Sequence, residues 1–460
     1  MPLTACKAMI SDTIVAQCTP SGSGAIALLR VSGPDALRIV ARCAKLSSSL
    51  NLQSVPTHTI HHGWVVAPDG SHLDEVLFLV MHAPRTFTGL NVVEITTHNN
   101  PFIIESVINR ILECGARPAQ NGEFTRQAVE NGKLDLVKAE AINELIHANS
   151  QHQLKQSLSQ LEGSFSSWIA TLEESLLKIS ALCEASFEFL EEDMDFSPQM
   201  RTMLANVATK IETIKATFNQ QQHLRQGVRI ALVGSVNAGK SSLFNALIGK
   251  QRAIVTDIAG TTRDVIEAGL YKDGVYLTLI DTAGLRKADD VIEQEGIRRS
   301  YSEAQAADIV LLVIDSSRVM TPEELTVYKT LLDTYQEKII VIHNKADLPA
   351  QQGGLTENSI YLSAKSRDGI IELESRIAQK INDLFTGIKS PFLLNKRHFE
   401  LLTSLEQKIA TIKTMLKAPI EYELVAYHLN DALETISQLT GKTITEKMMD
   451  TVFKEFCVGK

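Results

Sequence analysis

The sequence predicts a mixed α/β and all-α chain, with an N-terminal α/β domain, a helical bundle, and a second α/β domain inserted into that bundle. Three observations carry the prediction. Short β-branched runs at Val228–Val233, Leu277–Ile280, Ile309–Ile314 and Ile339–Ile342 read as buried parallel strands alternating with helices. Apolar residues recur at three- and four-residue steps from Leu154 to Ile179, and again from Leu402 to Leu416, which is helical spacing. A length of 460 residues leaves room for about three domains.

Residues 1–125 mix strand-like runs with turn residues. Val76–Val80 and Val92–Ile95 read as strands bounded by Pro and Gly, and Ile103–Leu112 reads as a helix. Residues 126–222 form the first helical part. There Leu154, Leu158, Leu161, Phe165, Trp168, Leu172, Leu176 and Ile179 are expected to form one buried helix stripe, which requires helical neighbours. The acidic run Glu184–Asp195 interleaves carboxylates with Phe187, Phe189 and Leu190, and reads as a solvated helix end rather than a metal site. Residues 223–384 form the inserted α/β domain. Residues 385–460 return to helix, with Leu402, Leu405, Ile409, Ile412 and Leu416 on one face and a second stretch from Glu421 to Leu439. The two helical parts are expected to pack together, since domain termini that lie close tolerate an insertion.

Lys+Arg is 45 against Asp+Glu 54, a net charge of -9. This excludes a protein that coats nucleic acid by charge alone, so such contact needs a local patch or a partner. The longest apolar run, Ile309–Ile314, is far short of the roughly 20 residues of a membrane span. The N-terminus has neither a secretory nor a transit pattern. Six dispersed cysteines without CxxC point to free thiols in a reducing, cytoplasmic setting.

The segment Gly234-Ser235-Val236-Asn237-Ala238-Gly239-Lys240-Ser241 fits GxxxxGK[ST], follows a strand and opens a helix at Ser242. Its glycines let backbone N–H groups curl around phosphate, Lys240 supplies charge, and the Ser241 hydroxyl can ligate Mg²⁺. Asp281-Thr282-Ala283-Gly284 ends the next strand, where Asp281 can hold Mg²⁺ through water and Gly284 can sense the γ-phosphate. Thr262, in Gly260-Thr261-Thr262-Arg263-Asp264, suits a second Mg²⁺ ligand. Asn344-Lys345-Ala346-Asp347 ends a later strand. A carboxylate there accepts from guanine N1–H and N2–H₂, whereas adenine would leave it unpaired. Ser363-Ala364-Lys365 can give a backbone N–H to guanine O6. Four motifs in order, each at a strand end, specify GTP. Leu285 stands where Ras-like enzymes carry the Gln that orients water. Hydrolysis by the chain alone is then either very slow or supported by other groups, for which Asn237 and Glu293 are candidates.

Further segments carry a resemblance. These are Asp12–Gln17 with Thr19–Gly24, Gly122–Arg126, Asn131–Leu136 with Ala139–Ala141, the loop Thr256-Asp257-Ile258-Ala259-Gly260-Thr261-Thr262-Arg263-Asp264, and the ending Phe456-Cys457-Val458-Gly459-Lys460. Over nearly its whole length the chain resembles the MnmE (TrmE) family of bacterial tRNA modification GTPases. The resemblance implies a folate-binding, dimerising N-terminal domain and a Ras-like P-loop GTPase domain inserted in the helical bundle. It implies K⁺ held by Asn237, Thr256, Ile258 and Thr261, Mg²⁺ held by Ser241 and Thr262, and water oriented by Glu293. Asp257 and Ala259 would line the nucleotide with their neighbours. It also implies a homodimer, and an FAD-binding MnmG-like partner in a heterotetramer. Together they would place an aminomethyl-type or carboxymethylaminomethyl group on carbon 5 of the wobble uridine of certain tRNAs. The one-carbon donor would be a tetrahydrofolate derivative touched by Arg30, Glu94, Lys133 and Lys460, and Cys457 would take part in catalysis.

The chain departs from the family at His98-Asn99-Asn100 and Thr88-Gly89-Leu90-Asn91, where His-Gly-Gly and Thr-Gly-Glu-Asp are usual, and at Val236, where Pro is frequent. Asn accepts the left-handed backbone of Gly, so the turn is expected to survive. The rival reading is a regulatory GTPase on RNA or ribosomes that performs no base chemistry. Such a switch has no use for a folate site or a Cys-x-Gly-Lys tail.

Overall fold

Seven N-terminal strands pair into one sheet: β1 (Ile14–Gln17), β2 (Ile26–Ser32), β3 (Ala44–Leu46), β4 (Thr59–Val66), β5 (His72–Met81), β6 (Val92–His98) and β7 (Arg117–Pro118). Their order is β3-β4-β5-β6-β2-β1-β7, antiparallel throughout except β1 with β7. The computed structural model describes residues 12–20, 22–148, 150–188, 195–218, 227–249, 266–272, 275–281, 301–351, 356, 358–385, 391–417 and 420–459.

Strand alternation separates the two faces of this sheet. Ala27, Leu29, Val31, Phe78, Val80, Val93 and Ile95 are buried in a core shared with α1 (Ala36–Ala41) and α2 (Pro101–Glu113). The register places Ile60, Leu79, Glu94 and Arg30 in one row on the opposite face. Ile26, Ile60 and Leu77 on that face are 60%, 64% and 41% exposed. In β4, a Cβ on Gly63 would lie 2.3 Å from the Lys45 carbonyl oxygen, so only glycine lets β3 pair there.

Helices follow: α3 (Glu123–Glu130), α4 (Leu136–Ile146), α5 (Gln151–Leu161), α6 (Ser164–Glu188) and α7 (Ser197–Lys215). The stripe expected from Leu154 to Ile179 is two helices. Gly163, at φ 106, separates them. Leu154 and Leu158 are 46% and 47% exposed, while Gln153, Gln156 and Gln160 are buried. The spacing rule assumed one continuous helix, and a left-handed glycine resets its phase. Beyond the break the stripe is as expected, with Phe165, Leu172, Leu176 and Ile179 fully buried and Trp168 stacked on Phe165 at 5.7 Å. Of the acidic run, residues 189–194 lie outside the described residues.

The C-terminal helices include α11 (Lys396–Met415), α12 (Tyr422–Thr440) and α13 (Glu446–Phe453). Helix α6 packs along α12, with the Cys183 thiol donating to the Tyr422 carbonyl at 3.4 Å. Arg201 of α7 donates to the Leu416 carbonyl at 2.7 Å, and Lys442 pairs with Glu173 at 2.8 Å. The two helical parts thus pack together as the periodicity predicts.

The inserted domain carries β8 (Val228–Val233), β9 (Ile266–Lys272), β10 (Val275–Asp281), β11 (Ile309–Asp315), β12 (Ile339–Asn344) and β13 (Ile360–Tyr361) in the order β13-β12-β11-β8-β10-β9. All pairs are parallel except β9 with β10. Every residue of β11 is buried, as expected of a strand covered on both faces. Helices α8 (Lys240–Ile248) and α10 (Ile370–Phe385) cover one face, and α9 (Pro322–Tyr335) covers the other.

The chain divides into two compact units. One comprises Met1–Asn143, Ser159–Ala208 and Glu400–Lys460, the other Glu144–Leu158 and Thr209–Phe399. Among the described residues, no helix is long and apolar enough to cross a membrane.

Candidate active site

Strand β8 lies between β11 and β10, so successive connections leave it on opposite sides. A crevice opens at such a switch point beyond the carboxyl ends of the strands. The loop from Gly234 to Gly239 starts there and leads into α8. A Cβ on Gly234 would lie 2.1 Å from the Val313 carbonyl oxygen, and one on Gly239 would lie 2.1 Å from Asn344 Nδ2. Gly239 and Asn237 take left-handed backbone, at φ 93 and 63. This loop therefore curls tightly against β11 and β12, and the α8 N-terminus behind it favours an anion.

Lys240 is 6% exposed, and its Nζ donates to the carbonyls of Gly234 at 2.7 Å and Ser235 at 2.8 Å. The ammonium is thereby fixed beside the loop it would share with phosphate. Ser241 and Ser242 are exposed in the first turn of α8, and the Ser241 hydroxyl fits the oxygen-only chemistry of Mg²⁺. Asn237 sits exposed at the loop tip. Asp281 ends β10 opposite Leu232 of β8, which brings its backbone to the same sheet edge.

The Asn344–Asp347 motif is joined to the Gly234–Gly239 loop by one side chain. Asn344 Nδ2 donates to the Ala238 carbonyl at 2.8 Å, and its Oδ1 accepts from the Ala364 N–H at 3.0 Å. The Ala364 N–H is engaged in this clamp. Asp347 is exposed. A hydrogen bond from Ser363 lowers its carboxyl pKa, which favours the ionised form, an acceptor only. Lys345, at φ 65, donates to Asp315 at 2.6 Å. Burial alone would raise the Asp315 carboxyl, but bonds from Lys345 and Ser317 outweigh it and lower it. Lys365 follows Ala364 on the exposed rim. Asp315 and Ser316 were not singled out by sequence. The Ser316 hydroxyl donates to the Asn344 carbonyl at 2.7 Å, and the signal for both was their position at the end of a parallel strand.

Several expected groups lie outside the described residues: Thr256, Asp257, Ile258, Ala259, Gly260, Thr261, Thr262, Thr282, Ala283, Gly284, Glu293 and Lys460.

In the first unit, Arg30 and Glu94 face each other across β2 and β6 and form an ion pair, with Nε and Nη2 at 2.8 and 2.7 Å from Oε1. The Arg30 guanidinium also lies 5.9 and 5.6 Å from the ring centres of Phe87 and Phe124. Two groups expected to touch one ligand thus also meet each other. Thr88 bonds Ser32 at 2.8 Å, and its carbonyl accepts from Asn131 at 2.8 Å. A Cβ on Gly89 would lie 3.4 Å from Lys133, so the 88–91 loop joins the neighbourhoods of Arg30 and Lys133. The tail reaches the same sheet. Gly122 N–H donates to the Cys457 carbonyl at 3.2 Å, and the Cys18 thiol donates to the Gly459 carbonyl at 3.1 Å. Cys457 itself is exposed.

Asn99 and Asn100 do not take the left-handed backbone expected of them. Asn100, at φ -118, caps α2 by accepting from Phe102 N–H at 3.0 Å. Asn99 Nδ2 donates to the carbonyls of Gly22 and Gly24, both at 2.8 Å. A capping residue needs extended backbone, and that requirement overrode the glycine analogy.

Two family descriptions match the chain, "GTP-binding protein TrmE N-terminus" over residues 13–133 and "MnmE helical domain" over residues 136–457. The chain is 38% identical over 464 residues to a tRNA modification GTPase MnmE of Lactiplantibacillus plantarum, covering 98% of each chain. It is 35% identical over 474 residues to that of Christiangramia forsetii, covering 98% of this chain and 100% of the relative. It is 38% identical over 468 residues to one from Bacillus cereus, covering 98% and 99%.

Proposed function

The chain belongs to the MnmE (TrmE) family of tRNA modification GTPases, and from that premise we propose a GTP hydrolase whose cycle drives installation of an aminomethyl-type group on the wobble uridine of tRNA. The observation that carries the GTPase reading is the Asn344 clamp, which ties the base-reading strand end to the phosphate loop. Lys240 and the loop N–H groups bind the β- and γ-phosphates, Asp347 accepts from guanine, and Ser241 and Thr262 hold Mg²⁺. Glu293 orients the attacking water in place of the missing Gln. Asn237, Thr256, Ile258 and Thr261 hold K⁺, which neutralises developing charge as an arginine finger would.

The N-terminal domain binds a tetrahydrofolate derivative, which supplies the one-carbon unit. Arg30 suits its glutamate tail and Glu94 its pterin edge, with Lys133 and Lys460 nearby. Their mutual pairing means that the ligand has to compete for or share Glu94, whose Oε2 stands outside the pair. The open face of the sheet, with Ile26, Ile60 and Leu77 exposed, supports a homodimer formed there. An FAD-binding MnmG-like partner supplies the redox step, and Cys457 acts beside the folate.

Phosphate release from GTP and ATP, in K⁺ and in Na⁺, tests the hydrolase. Release from GTP faster in K⁺ and absent with ATP is expected. Equal rates with both nucleotides would remove the guanine reading.

A further inference from the structure

Ser235, the second residue of the phosphate loop, is held from three directions. Its carbonyl accepts from Lys240 Nζ at 2.8 Å. Its N–H donates to the Tyr328 hydroxyl oxygen at 2.9 Å. Its own hydroxyl accepts from Arg318 Nη2 at 3.0 Å. Lys240 belongs to the nucleotide motif, but Arg318 and Tyr328 belong to none of the four. Arg318 lies between β11 and α9, and Tyr328 lies in the second turn of α9.

Both are fixed from behind. Arg318 grips Glu324 with both arms of its fork, Nη1 at 2.8 Å from Oε2 and Nη2 on Oε1. Glu324 in turn closes a capping box at the start of α9, its N–H donating to Thr321 Oγ1 at 3.2 Å while its carboxylate accepts from Thr321 N–H at 2.9 Å. Tyr328 is 4% exposed within the core against α9, and burial raises its pKa, so the phenol stays neutral. A chain of support therefore runs from the α9 cap through Glu324 and Arg318 to Ser235, with a second support through Tyr328.

We infer that Arg318 and Tyr328 are positioning residues for GTP: they fix Ser235 and, through its carbonyl, the ammonium of Lys240 that meets the phosphates. This rests on the GTPase reading. A loop held in its binding shape loses less freedom when phosphate arrives. The phosphates are held in the ground state and the transition state alike, so loss of the support raises KM more than it lowers kcat.

The experiment uses the full chain and follows steady-state GTP hydrolysis and thermal unfolding. The variants are Ser235→Ala, Arg318→Ala, Arg318→Lys, Tyr328→Phe and the double Ser235→Ala, Arg318→Ala. Each of the two alanine variants is expected to raise KM for GTP about three- to tenfold, the size of one ordinary net hydrogen bond. The double variant is expected to be no worse than the poorer single, because both remove the same link. Arg318→Lys keeps the charge but not the fork, and is expected to match Arg318→Ala. Tyr328→Phe is expected to raise KM in the same direction. Ser235→Ala leaves the Arg318–Glu324 pair intact and so is expected to unfold at the parent's Tm. An unchanged KM in Ser235→Ala, with a lowered Tm in Arg318→Ala, would overturn the proposal and make Arg318 a strut for α9. Multiplying effects in the double variant would overturn it too. A parent chain that releases no phosphate would instead overturn the GTPase reading beneath it.

Discussion

Asn344 Nδ2 stands 2.8 Å from the carbonyl oxygen of Ala238, so the strand end proposed to read the base holds the loop proposed to bind the phosphates. Gly239 makes this contact possible, because any Cβ there would occupy the space of that same Nδ2. Gly239→Ala is predicted to displace Asn344, strain a left-handed backbone at φ 93 and abolish GTP binding. Nucleotide titration by fluorescence checks this. Undiminished affinity would show that the clamp is dispensable.

Asp347→Asn is predicted to weaken GTP binding by about a hundredfold, since the bond to guanine N2–H₂ is lost to a facing NH₂ donor and the bond to N1–H loses its charged acceptor. The new amide can donate to a carbonyl at position 2 of the base while accepting from N1–H. Xanthosine triphosphate is therefore predicted to gain what GTP loses. Competition between the two nucleotides measures it, and a variant that still prefers GTP would displace Asp347 from its role.

Asp315 carries a pH prediction. Its folded pKa lies below the unfolded value near 3.9, despite burial, because Lys345 and Ser317 donate to it. A depressed carboxylate adds stability that is present above its unfolded pKa and lost as pH falls through the folded one. Asp315→Asn is predicted to lower Tm at pH 7, and the gap to the parent is predicted to shrink as pH falls below the unfolded value and through the lower folded one. A gap that stays constant with pH would refute the charge argument.

Thiol reactivity separates Cys457 from the buried cysteines. Burial pushes Cys43 up to about 12, with Cys114 adding to the rise, and burial pushes Cys183 to about 11. Cys457 is exposed. At pH 8, iodoacetamide is predicted to label Cys457 while Cys43, Cys114 and Cys183 stay unmodified in the folded chain. Peptide mass mapping reads the order. Labelling of Cys43 before Cys457 would contradict the packing of the tail and of the first core.

Arg30→Ala is predicted to abolish saturable binding of 5-formyl-tetrahydrofolate in calorimetry, and Glu94→Gln to weaken it. Binding that survives both changes would move the folate site away from this pair.

Parallel strands were the most legible part of the sequence. Val228–Val233 and Ile309–Ile314 stand almost where their β-branched runs end, because a strand buried on both faces needs no alternation to be recognised. Helix α2 was readable for a similar reason, its apolar residues falling on one face. Strand β4 was not, because His61, His62 and Gly63 interrupt any apolar pattern and the glycine answers to Lys45 on a neighbouring strand. The α5–α6 break was missed because a step pattern carries across a glycine that the backbone does not. In the site, Lys240, Asn344 and Asp347 were legible as motifs. The support of Ser235 by Arg318 and Tyr328 was not, because those contacts join positions 83 and 93 residues apart with no spacing to mark them.

The central claim, that GTP turnover by this chain serves base modification in tRNA, is tested most directly by the wobble nucleosides of tRNA from cells lacking the chain. The account predicts loss of the modified carbon-5 uridines, restored by the parent chain and not by Lys240→Ala. Unchanged nucleosides in its absence would contradict the account and leave a GTPase that acts through RNA or protein contacts alone.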